Sequence, residues 1–271
     1  MVRTLAMTAA LGAALACWPA AAQQKISIDG STGAAPLIEA LGKAFTAKTN
    51  IAVEIGKGLG TKDRLTALAD RKIDIAMASH GLNVSDVAAR GMAVNRIAIT
   101  PVVFGVNEMA KIENLSDAQL CAIFDGSTKN WRELSAADLA IVPMARPDTE
   151  VDAEVSRAGV ACLKELKLAD TVKINASARD MATALAETPG SVGVTSTTVV
   201  EQSSGKVRSV ALNGVAPSEA NVVSGKYRLT RDTFLVLGAA PRAETKAFID
   251  FVNGPEGRAV IKANGAIAAS N

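Results

Sequence analysis

An α/β fold with mostly parallel strands is what this 271-residue sequence predicts, on three observations. Short β-branched runs alternate with stretches of helical periodicity along the chain. Two of those runs, Lys25-Ile26-Ser27-Ile28-Asp29 and Ile51-Ala52-Val53-Glu54-Ile55, break into Gly/Ser/Thr turns from which helices open. Apolar residues make up 49% of the composition, enough for an ample core.

The first half reads as strand 25–29, helix 34–48, strand 51–55, helix 61–70, strand 73–78, a short helix over 84–90 and strand 97–106. In helix 34–48 the residues Leu37, Leu41, Ala44 and Phe45 recur at the spacing of one buried stripe. The middle continues with helix 117–124, for which the Ser116 hydroxyl is a ready acceptor of an orphan N–H. Strand 141–145, helix 151–166, strand 172–174, helix 178–187 and strand 192–195 follow, with Thr188-Pro189-Gly190 as a turn. The last third carries strand 207–212, an irregular stretch through Gly225, strand 233–237 and two helices, the second opening at Pro255, a residue suited to a first turn.

Composition excludes several classes of function. With 29 basic against 27 acidic residues, nothing points to nucleic acid or to a membrane surface. Aromatic residues are 3% of the chain, too few for the stacking platforms of a sugar site, and a single His argues against a transition-metal site or other metal. No Gly-x-Ser-x-Gly elbow is present, and the sequence is not expected to be an enzyme or to hold a cofactor.

Residues 1–22 read as an export signal. Arg3 is the only charge before Lys25, 5–17 is apolar, and Ala20-Ala21-Ala22 offers small residues for cleavage. Lipidation at Cys17 is the alternative to cleavage after Ala22. Cys121 and Cys162 are open to two readings: a disulfide in an oxidising compartment, or two ordinary buried thiols in amphipathic helices.

Gly30-Ser31-Thr32-Gly33 and Gly58-Leu59-Gly60-Thr61 each lead from a strand into a helix. Bare helix N-termini aimed at one place hold small anions without a large basic patch. In an exported chain this suggests solute capture.

Beyond those two loops, Ile73-Asp74-Ile75-Ala76-Met77-Ala78-Ser79, the run from Leu115 to Gly126 followed by Asn130-Trp131, Glu187-Thr188-Pro189-Gly190-Ser191-Val192-Gly193, and the run from Phe248 to Gly257 carry a resemblance. Together they resemble the substrate-binding protein of Pst-type phosphate ABC importers, within the type II periplasmic binding protein fold. The resemblance implies two α/β lobes crossed by two hinge strands, 97–106 and 233–237, with the ligand in the cleft. Lobe I would be 23–103 plus 213–271 and lobe II 104–212. It further implies a periplasmic monomer that passes a small oxyanion, phosphate first, to an ABC permease in the inner membrane.

The ligand-binding residues implied are Ser31, Thr32, Gly33, Gly60, Thr61, Ser79, His80, Arg146 and Thr149. Ser31 and Thr32 either donate to the anion or cap the first helix. Arg146 either grips the oxyanion or pairs with Glu150 or Asp148. Ser177 and Arg179 are weaker candidates. The family's Arg is followed by Ser-Gly-Thr donors, whereas Arg146 here is followed by Pro147-Asp148-Thr149-Glu150-Val151-Asp152. Glu150 and Asp152 are either helix-start charges facing solvent or cleft carboxylates, two against one guanidinium, that leave the wall net negative. The second case favours a different function, a ligand-sensing or interaction protein on the same fold that has lost phosphate binding.

Overall fold

The chain begins its order with strand β1 (Lys25–Gly30), helix α1 (Ala35–Thr49), β2 (Ala52–Ile55), α2 (Thr61–Ala69), β3 (Ile75–Ala78), α3 (Val84–Ala89) and the long β4 (Ala93–Asn107). Then come β5 (Asn114–Leu115), α4 (Asp117–Phe124), β6 (Val142–Ala145), α5 (Val151–Gly159), β7 (Lys173–Ile174), α6 (Ala178–Glu187), β8 (Ser191–Ser196), α7 (Thr197–Gln202), β9 (Val207–Ser209) and β10 (Ala211–Leu212). The last are α8 (Glu219–Val223), β11 (Thr230–Leu237), α9 (Ala243–Asn253), α10 (Pro255–Ala263) and β12 (Ile267–Ala268). This computed structural model describes residues 25–79 and 82–269. The expected export signal, Cys17 and His80 lie outside the described residues.

Ten strands form one sheet in the order β2-β1-β3-β11-β4-β8-β6-β7, with β9 and β12 also paired to β4. The outer strands on each side are parallel, as expected: β1 with β2 and β3, and β6 with β7 and β8. The centre is not. There β11 runs antiparallel to β3 and β4, and β4 antiparallel to β8. Strand β4 joins the halves, pairing Ala93–Pro101 with β11 and Val102–Val106 with β8. Both strands expected to cross between lobes, 97–106 and 233–237, fall within β4 and β11.

Two main cores lie along this sheet. The first packs Ile26, Ile28, Leu37, Leu41, Phe45 and Met77 against Phe248, Val252 and Ile261, with Phe45 and Phe248 edge to face at 5.2 Å. The second gathers Val103, Phe104, Leu120, Phe124, Trp131 and Val192. Trp131 is fully buried and its indole N–H donates to the Gly190 carbonyl at 2.9 Å, the partner a buried indole needs. Val215, Tyr227 and Leu229 also pack into the second core, although the sequence grouped 213–229 with the first lobe.

Cys121 on α4 and Cys162, in a 3₁₀ turn after α5, are joined in a disulfide. Helix α5 stops at Gly159, short of the expected end at 166. A Cβ there would meet Leu229 Cδ2 at 1.9 Å, so close packing selects glycine and the chain leaves extended at Val160. The expected strand 207–212 is split, because Val210 turns its N–H to Phe104 O between β9 and β10. Helices α7 and α8 fill stretches that carried no helical expectation.

Candidate functional site

A cavity of about 390 Å³ opens where β1 and β3 end and where the β2–α2 and β6–α5 loops face them. This is the carboxyl end of parallel strands, the usual crevice for ligands in open α/β sheets. A larger hollow, about 590 Å³, lies at the other end of β3 beside Asp74, Gly238 and Arg242, away from these loops.

The first wall is built from backbone. Gly30 has φ +143°, and a Cβ there would lie 2.0 Å from Met77 O, so only glycine permits this approach. The closeness lets Ser31 N donate to Met77 O at 3.0 Å. The Asp29 carboxylate then receives both Gly30 N at 2.7 Å and Gly58 N at 3.0 Å, which staples the β1–α1 turn to the β2–α2 turn. Leu59 N donates to Gly30 O at 2.8 Å and adds to the same tie. Ser31 Oγ donates to Ser79 Oγ, 3.0 Å away at the end of β3.

The second wall is built from charges. Arg146 follows β6 with its side chain 1% exposed. One nitrogen, Nη2, donates to Glu150 Oε2 at 2.7 Å, to Thr32 Oγ1 at 3.0 Å and to Ala176 O at 3.4 Å. Thr32 Oγ1 in turn donates to Glu150 Oε2 at 2.8 Å. The Glu150 carboxylate thus takes two donors, a hydroxyl and a guanidinium, at one oxygen. Two residues on, Asp152 is buried and Asp152 Oδ1 accepts from Arg231 Nε at 2.8 Å. Arg231 also donates to Gly33 O at 2.5 Å and to Ser79 Oγ at 3.4 Å.

Two helices, α2 and α5, present their N-termini at this cavity, and α1 opens behind the 30–32 turn that lines it. Their N-cap residues, Ala34, Gly60 and Glu150, make no side-chain capping bond. Asn83, Ser116, Ser177, Ser196 and Ser218 each cap their own helix, while α9 and α10, away from the cavity, open at Arg242 and Gly254 without a side-chain cap. In α2 and α5 the first turns keep unmatched N–H groups and the positive end of the helix dipole, whereas in α1 Ala34 N and Ala35 N donate to Ser31 O and Thr32 O and Pro36 has no N–H.

Of the residues singled out from sequence, Ser31, Thr32, Gly60, Thr61, Ser79 and Thr149 line the cavity. Gly33 and Arg146 do not, Gly33 being turned to Arg231 through its carbonyl and Arg146 being engaged by Glu150. Ser31 and Thr32 are not caps; their hydroxyls go to Ser79 and Glu150. Arg146 pairs with Glu150, while Asp148 pairs with Arg157. Neither Glu150 nor Asp152 is a free helix-start charge in solvent, and the count of two carboxylates against one guanidinium is corrected by Arg231. Ser177 caps α6, and Arg179 pairs with Glu39 of α1.

Sequence reasoning missed Lys57, Arg64, Glu154 and Arg231. Lys57, Arg64 and Glu154 line the cavity. Arg64 is 4% exposed; its Nη2 donates to Thr61 Oγ1 at 3.2 Å and its Nε has no partner. Burial pulls its pKa below the usual arginine value. A signal for it existed: helical spacing puts Arg64 on the same buried face as Leu65 and Leu68, where a charge is out of place.

A family model described as a PBP superfamily domain matches residues 19–256. Phosphate-binding protein PstS of Bacillus subtilis (strain 168) is 24% identical over 241 residues, covering 87% of this chain and 77% of that protein. Among solved structures, a putative phosphate ABC transporter substrate-binding protein with bound phosphate from Clostridium perfringens is similar at a TM-score of 0.71 and 25% identity, covering 91% of this chain and all of the other. The periplasmic molybdate-binding protein of Azotobacter vinelandii shares the fold at a TM-score of 0.60 and 15% identity, over 90% of this chain and all of the other.

Proposed function

The chain belongs to the PBP superfamily, and from that premise we propose that it captures a small oxyanion, phosphate first, and delivers it to an ABC permease. It acts by binding and works no chemistry on the solute. The observation that carries this reading is the meeting of two uncapped helix N-termini, α2 and α5, with the hydroxyls of Ser31, Thr61 and Thr149 around one cavity. Such groups replace an anion's hydration shell with fixed N–H and O–H donors. The relatives named for phosphate, and the neighbour named for molybdate, support an oxyanion as the class of solute.

In this reading the lobes follow the two cores, with 25–101 and 230–269 in one and 102–229 in the other. Rotation about β4 and β11 opens and closes the cleft. The protein works as a monomer in the periplasm. Calorimetry with phosphate, sulfate, molybdate and arsenate tests the proposal: heat and a thermal shift with at least one are expected, and silence with all four at millimolar concentration overturns it.

A second reading is favoured by one observation, the Glu150 carboxylate held by Thr32 and Arg146. A chain that supplies its own anion to those donors suits a sensing or interaction protein closed without solute. Recovery of a sensor domain and no permease from envelope extracts would select it.

A further inference from the structure

Three buried guanidiniums stand at the cleft: Arg64, Arg146 and Arg231. Two are already matched by carboxylates. Arg146 holds Glu150 at 2.7 Å and Arg231 holds Asp152 at 2.8 Å. Although Arg146 also carries a buried Nε without a partner, Arg64 differs in its charge balance and its place. Among the described residues its one hydrogen-bond partner is the Thr61 hydroxyl, no carboxylate pairs with it, and its Nε is buried without a partner. It lines the cavity, and Arg146 and Arg231 do not.

A buried cation with no counter-ion is a liability to the unliganded fold, because water has been removed and nothing replaces it. The structure nevertheless makes room for this one. A Cβ on Gly30 would lie 3.1 Å from Arg64 Cδ, so the arginine stem runs across the bare backbone of the first anion loop. Lys57 stands at the rim of the same wall, exposed and with no ion-pair partner among the described residues. Across the cavity the Glu150 carboxylate is already held by Arg146 and Thr32, so that wall offers no free cation to an anion.

We propose that Arg64, with Lys57 at the rim, supplies the positive charge that holds the oxyanion, and that Arg146 serves as the partner of Glu150 and does not touch the solute. The proposal rests on the oxyanion reading above. It makes capture one-sided. The first wall binds the charge through Arg64, the Ser31 hydroxyl and the N-terminus of α2. The second closes over it with Thr149 and the N-terminus of α5.

The test is phosphate calorimetry on the full chain and four variants, with melting curves in phosphate-free buffer. Arg64→Gln is expected to weaken binding on the order of 100-fold, the usual scale for removing one partner of a desolvated charge pair. Arg64→Lys recovers part of that loss, since a point charge lacks the guanidinium fork. The neutral double change Arg146→Gln with Glu150→Gln stays within about threefold of the parent or binds more tightly. Arg64→Leu removes an uncompensated buried charge, so it raises the phosphate-free melting temperature by roughly 2–4 °C and abolishes the phosphate-induced shift.

Parental binding by Arg64→Gln overturns the proposal while leaving oxyanion capture intact. So does a hundredfold loss in the double variant with Arg64→Gln unaffected. A lowered melting temperature or failure to fold in Arg64→Leu makes Arg64 a structural residue and also overturns it. A parent chain that binds no oxyanion removes the underlying function and this proposal with it.

Discussion

The two walls of the cleft handle charge in opposite ways. On the first, Asp29 is consumed by two backbone N–H groups, hydroxyls alternate with glycines, and Arg64 and Lys57 have no acidic partner among the described residues. On the second, almost every charge has a mate: Arg146 with Glu150, Asp148 with Arg157, and Asp152 with Arg231 reaching over from β11. The difference separates availability from presence. A guanidinium near a cleft is no anion receptor once a carboxylate of the same chain occupies it, whereas backbone dipoles and the unmatched Arg64 and Lys57 remain receptive. The matched charges do other work. Thr32–Glu150 and Arg231–Asp152 both bridge the walls, as does Arg179–Glu39, so the second wall's charges hold the closed arrangement.

The largest test of that division is Asp152→Ala. It leaves Arg231 buried and unpaired, and urea unfolding should report a loss of about 3–5 kcal/mol. Replacing the pair together, Asp152→Leu with Arg231→Met, should restore most of it. A loss below about 1 kcal/mol in the single variant would mean that the bridge contributes no more than an exposed ion pair. Next in size is the disulfide. Reducing Cys121–Cys162, which closes a loop with a sequence separation of 41, should cost about 2–4 kcal/mol. Because this tie lies in the second core, phosphate affinity measured below the melting range should be unchanged; a matching loss of affinity would place binding on the second wall after all. The smallest effect is expected of Glu150→Gln. It keeps an acceptor for Thr32 and removes one negative charge from the cavity lining, so phosphate binding should tighten by about tenfold, near 1.4 kcal/mol. An identical dissociation constant would show that this carboxylate does not compete with the solute.

Much of the fold was legible because it is written in local signals. Ser116 and Gln119 form the reciprocal capping box of α4, and α6 runs over the residues expected from its period, with Ser177 and Asp180 closing its start. Where local preference and tertiary setting disagree, the reading fails. Thr197-Thr198-Val199-Val200 is β-branched and carried no helical expectation, yet Ser196 caps it as α7 against β4. Helix α5 was read too long because nothing local tells that Leu229 will press on Gly159. The site was legible in its backbone, since Gly30 and Gly60 with neighbouring hydroxyls announce turns before helices. Its charges were not. Arg231 falls between the irregular stretch that ends at Gly225 and the expected strand 233–237, and only the placement of β11 beside β3 and β4 brings it to Asp152. Pairing across 79 positions leaves no periodic trace.

The mixed sheet also imposes a timetable. The second core draws on one uninterrupted stretch, Val102 to Leu229, and can close once that stretch has emerged. The first cannot. Its strand β11 inserts between β3 and β4, and Phe248, Val252 and Ile261 complete its packing, all from the far end of the chain. Closure over so long a separation is slow. Until Thr230–Leu237 arrives, β3 shows an unpaired edge, the kind of surface on which nascent chains stick to one another. The last strand to be made therefore governs how long the half-built protein is vulnerable to aggregation.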